Sequence, residues 1–77
     1  MLITAGCASS EVEVPLSEVP PEVLVAAREA KPGIEITEAE LETEDGEQVY
    51  ELEGELDGVE YEIEVSPSGE VLEIEVE

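Results

Sequence analysis

The chain has 77 residues, of which 23 are acidic, two are basic and none is histidine, for a formal charge of −21 at neutral pH. One cysteine excludes an internal disulfide, and without histidine or a cysteine cluster there is no ligand set for a structural zinc. Nucleic acid and anionic membrane surfaces would be repelled, so the partner classes that the charge admits are basic proteins and multivalent cations.

Residues 1–10, MLITAGCASS, are small and apolar, and the first acid is Glu11. Thr4-Ala5-Gly6-Cys7 resembles a bacterial lipobox, the end of a lipoprotein signal, with Ala8-Ser9-Ser10 as the tether. Thr4 stands where a larger aliphatic residue is usual in that motif. The resemblance divides the chain into 1–10, a remnant of signal and tether, and 11–77, a single domain. It makes Cys7 the lipidation candidate and the one route to a membrane. It also implies an exported protein, periplasmic or anchored to a bacterial membrane. The plain alternative is an N-terminal extension with an incidental thiol.

Glu11 to Leu16 alternates briefly, which allows a short edge strand at 11–15; Pro15 is tolerable there. Ser17 can cap a helix, or Pro20 can open one in its first turn. Val19, Val23, Ala26, Ala27 and Ala30 then recur at spacings of three and four, predicting a helix over about 19–31 with one apolar stripe. Its small side chains suit close approach to a sheet. Glu22 early and Arg28 and Lys31 late match the helix dipole, and Pro32-Gly33 ends the element.

Strands are predicted over about 34–44, 48–56, 59–66 and 70–77. In the first, Ile34 and Ile36 share a parity that Ala39 and Leu41 do not, which predicts a bulge near Thr37–Glu38. Asp45-Gly46 and Asp57-Gly58 are hairpin turns, and Ser66-Pro67-Ser68-Gly69 turns the chain again. Tyr50, Leu52 and Leu56 share a face, as do Val59, Tyr61, Ile63 and Val65, and as do Leu72, Ile74 and Val76. Val49 and Val71 fall on the opposite parity. The expected fold is therefore α+β: one helix packed on a four-stranded antiparallel meander.

The opposite parity is glutamate. Glu51, Glu53, Glu55, Glu60, Glu62, Glu64, Glu73 and Glu75 line the outer face, joined by Glu40 and Glu42 from the first strand. Like charges across strands destabilise a sheet and resist addition of further strands. Crowding should also raise their folded-state pKa values. An enzyme is not expected. The face offers no enclosed carboxylate pair, the chain has no histidine base, and Cys7 has no partner for nucleophilic chemistry. Gly46, Gly58 and Gly69 are turn residues, not a phosphate loop. Neither a cofactor nor a dedicated metal site is expected. The eight glutamates are the partner-binding candidates. Diffuse Ca²⁺ binding or buffering is the alternative, and a structural unit of a larger repeat protein is a third reading.

The order of pieces carries a resemblance. Val19-Pro20-Pro21-Glu22-Val23, the Ala-rich helix ending Lys31-Pro32-Gly33, Tyr50-Glu51-Leu52, Gly58 with Tyr61, and Ser68-Gly69-Glu70-Val71-Leu72 together resemble the PepSY and PepSY-like (β-lactamase-inhibitor-like) domain family. The likeness spans roughly 11–77. It implies one helix on an antiparallel four-stranded sheet. It further implies a non-catalytic module of the cell envelope with an inhibitory or regulatory role, which makes a protease-like target the second partner class beside the basic protein that the charge admits. The family has no agreed catalytic residues to carry over.

Overall fold

The computed structural model describes residues 9–77. The lipidation candidate Cys7 and most of the 1–10 segment lie outside them. A strand β1 (Ser9–Glu13) leads through a 3-10 turn at Leu16–Glu18 into helix α1 (Pro21–Ala30). Four strands follow: β2 (Glu35–Glu44), β3 (Glu47–Leu56), β4 (Val59–Val65) and β5 (Val71–Val76). All five strands form one antiparallel sheet in the order β1-β2-β3-β4-β5. The expected four-strand meander is thus β2–β5, and the short alternating segment adds a fifth strand at its edge. β1 pairs with β2 from Ser9 opposite Glu44 to Glu13 opposite Glu40, and Val14 N–H donates to Ala39 O at 2.9 Å.

The helix is shorter than the apolar spacing suggests. Pro20 is its N-cap, with extended backbone, and Pro21 is its first helical residue; no side chain caps it. Proline suits that place because the first N–H groups of a helix have no internal acceptor. Two consecutive prolines also hold the preceding Val19 extended (φ −77°, ψ 133°), so Val19 packs into the core from outside the helix. Lys31 N–H still donates to Ala27 O at 3.0 Å, and Gly33, at φ +92°, turns the chain into β2.

Asp45-Gly46 and Asp57-Gly58 are two-residue hairpins with all four residues at positive φ, the geometry whose twist matches antiparallel strands. The phase change in β2 is a bulge: Ile36 faces Gly54, Glu38 faces Glu53, and Thr37 is the extra residue. It keeps Ile34 and Ile36 on the same face as Ala39 and Leu41. A second bulge lies in β5, where Glu73 faces Glu64 but Val71 faces Val65. Leu72 is the extra residue. Val71 therefore turns inward against the core, while Leu72 is 49% exposed, the reverse of what strict alternation predicts.

Val19, Val23, Ala27, Ile34, Ala39, Leu52, Ile63 and Val65 form the core. It sits between α1 and the inner face of the sheet, with Leu24, Tyr50, Tyr61 and Val71 packed around it. Gly54 belongs to this geometry. A Cβ there would lie 2.7 Å from the carbonyl oxygen of Glu35 and 2.9 Å from Ile34 Cγ1. Gly46 (φ +81°) has open space instead. We expect Gly54→Ala to cost about 1–3 kcal/mol through backbone displacement, and Gly46→Ala about 1 kcal/mol through its left-handed backbone alone. Urea unfolding of both variants checks this; a smaller loss at position 54 than at 46 contradicts the close approach.

Candidate functional site

The outer face is built by register. Glu13, Glu40, Glu51, Glu64 and Glu73 stand in one row, one from each strand. Glu38, Glu53, Glu62 and Glu75 form the next row across β2–β5. Glu35, Glu55 and Glu60 form a third, which Glu77 joins through its N–H donated to Glu60 O at 2.9 Å. Glu11 and Glu42 pair on the other side of the central row. Opposed side chains in such rows stand about 4.5–5.5 Å apart at Cβ. The chain has two cationic side chains, Arg28 and Lys31. Both lie at the end of α1, on the opposite side of the sheet, and Lys31 Nζ sits 4.5 Å over the Tyr61 ring. Neither is placed to neutralise the glutamates.

All eight partner-binding candidates fall on this one face, but they differ in access. Glu55, Glu60, Glu73 and Glu75 are exposed, Glu53, Glu62 and Glu64 are half-buried, and Glu51 is only 8% exposed. Glu51 occupies the middle strand and the middle row, where the stems of its neighbours cover it. Burial is the main reason that its carboxyl is pushed up to about 9, followed by side-chain hydrogen bonds with Glu42 and Glu62 and by their charge. Glu53 is raised to about 7, again first by desolvation, then by the charge of Glu77 and a hydrogen bond with Glu38. Glu40, Glu64 and Glu77 are raised chiefly by desolvation with neighbouring carboxylates adding to it, and Glu73 chiefly by a hydrogen bond with Glu75. Around neutral pH Glu51 therefore keeps its proton and Glu53 is near its midpoint, so the centre of the face carries less charge than its count of carboxyls.

The PepSY family model, described as peptidase propeptide and YPEB domain, matches residues 22–75. The chain belongs to the PepSY family. The matched span holds nearly all of α1 and the β2–β5 meander up to Glu75, while β1 and the 3-10 turn precede it. The family description is consistent with a non-catalytic, regulatory or inhibitory module. No curated protein and no solved structure matches the chain significantly.

Two groups on the PepSY sheet bring carboxylate oxygens within 4.8 Å of one another: Glu11 with Glu42 and Glu51, and Glu53 with Glu62 and Glu77. At such separations a shared proton or a cation can relieve the repulsion. The second group borders a small hollow of about 60 Å³ beside Thr37 and Gly54. A larger hollow of about 340 Å³ opens where the β2 bulge meets Val14 and Leu16.

Each raised carboxyl binds a proton in the folded chain at a pH where the unfolded chain has released it. Stability is therefore greatest below the unfolded value of 4.5 and is lost as pH climbs toward the folded values, about 7 for Glu53 and about 9 for Glu51. We expect the melting temperature to rise as pH falls from about 9 to about 5, the window these shifts span. Glu51→Gln should stabilise the chain by about 1–3 kcal/mol near pH 7 and by little near pH 4.5, because the amide needs no proton. Calorimetry across pH checks both, and a melting temperature that falls steadily on acidification contradicts them.

Proposed function

We propose that this PepSY chain is a protein-interaction module with an inhibitory or regulatory role, and that it meets a basic partner through its glutamate face. The observation that carries this reading is the segregation of charge. One face of the sheet is carboxylate from β1 to β5, and both cations lie at the end of the helix on the other side. A surface of one sign steers a partner of the other and binds it more weakly as salt rises. The exposed Glu55, Glu60, Glu73 and Glu75 make the contact, with Glu53, Glu62 and Glu64 behind them and Glu51 as a mainly neutral centre. The family description, which names peptidase propeptides, favours a peptidase as the target class. In this reading the chain is exported and Cys7 tethers it to the envelope; mass spectrometry of the native protein should find a lipid on Cys7, and a free thiol there removes the tether.

Weak divalent-cation buffering is the second reading, favoured by the two carboxylate groups with oxygens within 4.8 Å. Ca²⁺ takes about six to eight oxygens, so ligands from a sheet face give shallow binding without a fixed stoichiometry.

The test of the first reading is affinity capture from the native cell envelope, with the full chain beside a variant carrying Gln at 55, 60, 73 and 75. A basic protein retained by the native chain at low salt, released at moderate salt and lost with the variant is the expected result. The same proteins on both baits, or none on either, removes the acidic face as the binding surface.

A further inference from the structure

Among the described residues β5 is an edge of the sheet, and its unpaired side carries two kinds of complementarity at once. Antiparallel pairs alternate between residues that exchange N–H···O bonds and residues that do not. Glu77 N–H bonds Glu60 O, which sets the alternation: Glu75 and Glu73 direct their backbone groups to β4, while Ile74 and Val76 direct theirs out of the sheet. Those outward groups form a ready ladder for another strand. The side chains around it are exposed and divided by face. Ile74 and Val76, 39% and 67% exposed, continue the apolar side. Glu73 and Glu75 end two of the glutamate rows on the other side.

We propose that β5 binds an extended segment of a partner protein in which basic and apolar residues alternate. The segment adds as a sixth strand, with its Lys or Arg side chains opposite Glu73 and Glu75 and its apolar side chains beside Ile74 and Val76. Glu73 and Glu75 would occupy the non-hydrogen-bonded positions of this new pair, where facing side chains come closest, so the opposite charges meet at short range. The same charges reject a second copy of the chain, because antiparallel β5–β5 pairing sets glutamate against glutamate. The other edge is less suited: β1 exposes Val12 as its one large apolar side chain. This inference rests on the basic-partner reading above and specifies where and in what conformation such a partner is held.

The probe is a capped eight-residue peptide of alternating Lys and Val. The control has the same number of Lys residues spaced by Gly and Ser, so that it carries the charge without strand propensity. Both are titrated into the full chain at low salt and followed by amide NMR shifts and fluorescence anisotropy. The Lys/Val peptide should bind more tightly than the control by about tenfold or more, the worth of one or two main-chain hydrogen bonds. It should also protect the Ile74 and Val76 amides from exchange. Ile74→Pro removes an outward N–H without taking one from the β4–β5 ladder, and it should bring the Lys/Val peptide down to the control's affinity. If that variant fails to fold by circular dichroism, Glu73→Lys with Glu75→Lys, which leaves the backbone edge intact, should lower the Lys/Val affinity by a similar factor. Equal binding of the two peptides, unaffected by these changes, overturns the strand-addition proposal and leaves the acidic-face reading standing. Binding by neither overturns both. A concentration-dependent dimer through β5, seen by sedimentation, overturns the exclusion of a second copy and with it the proposal.

Discussion

One sheet face made almost wholly of carboxylates, with no cation set against it, is the constraint on which the rest of the fold depends. Each pair of glutamates directly opposed across strands works against the sheet by a few tenths of a kcal/mol or more, and glutamate is a poor strand former to begin with. Those costs fall on a domain that is small and has no disulfide. The inner face has to outweigh them. It does so with aliphatic side chains buried to completion, Val23, Leu52, Ile63 and Val65, and with a helix whose Ala27 lets it lie close to them. Two tight Asp-Gly turns and two bulges keep that inner face continuous across the sheet.

The outer face answers the same constraint by holding protons. At the centre Glu51 is too enclosed to carry a free charge at neutral pH, and Glu53 is near its midpoint there. The formal charge of −21 thus overstates what a partner meets in the middle of the sheet and understates the contrast between centre and rim. For a PepSY domain read as an interaction module, this grading matters. Burial raises the Glu51 and Glu53 carboxyls, so a basic partner that engages the centre would release protons from them. Partner affinity and pH are linked through the same rows that set stability.

Much of this was legible in the sequence because the chain alternates so regularly. The shift of apolar parity between Ile36 and Ala39 located the first bulge, and the two Asp-Gly pairs located the hairpins that fix the register. The second bulge was not legible. Val71 and Leu72 are adjacent and both apolar, so alternation alone does not say which turns inward; the pairing of Val71 with Val65 decides it. β1 was visible only as an option, since a few alternating residues ending at a proline specify a strand only when β2 offers an edge. The candidate face was legible as a whole, but not its internal ranking. Glu51, Glu53, Glu62 and Glu64 are the same amino acid, and only the strand order shows that Glu51 stands at the centre. The helix start is hidden in the sequence because Val19 fits the helical spacing while the prolines that follow it hold it outside the helix.

A carboxyl-carbon NMR titration of the glutamates in the folded chain reads the protonation of the face residue by residue. Glu51 should titrate far above the ordinary carboxylate range and Glu53 near neutrality. If Glu51 and Glu53 instead both ionise close to 4.5, the sheet does not hold protons at its centre and the face is a uniform anionic surface.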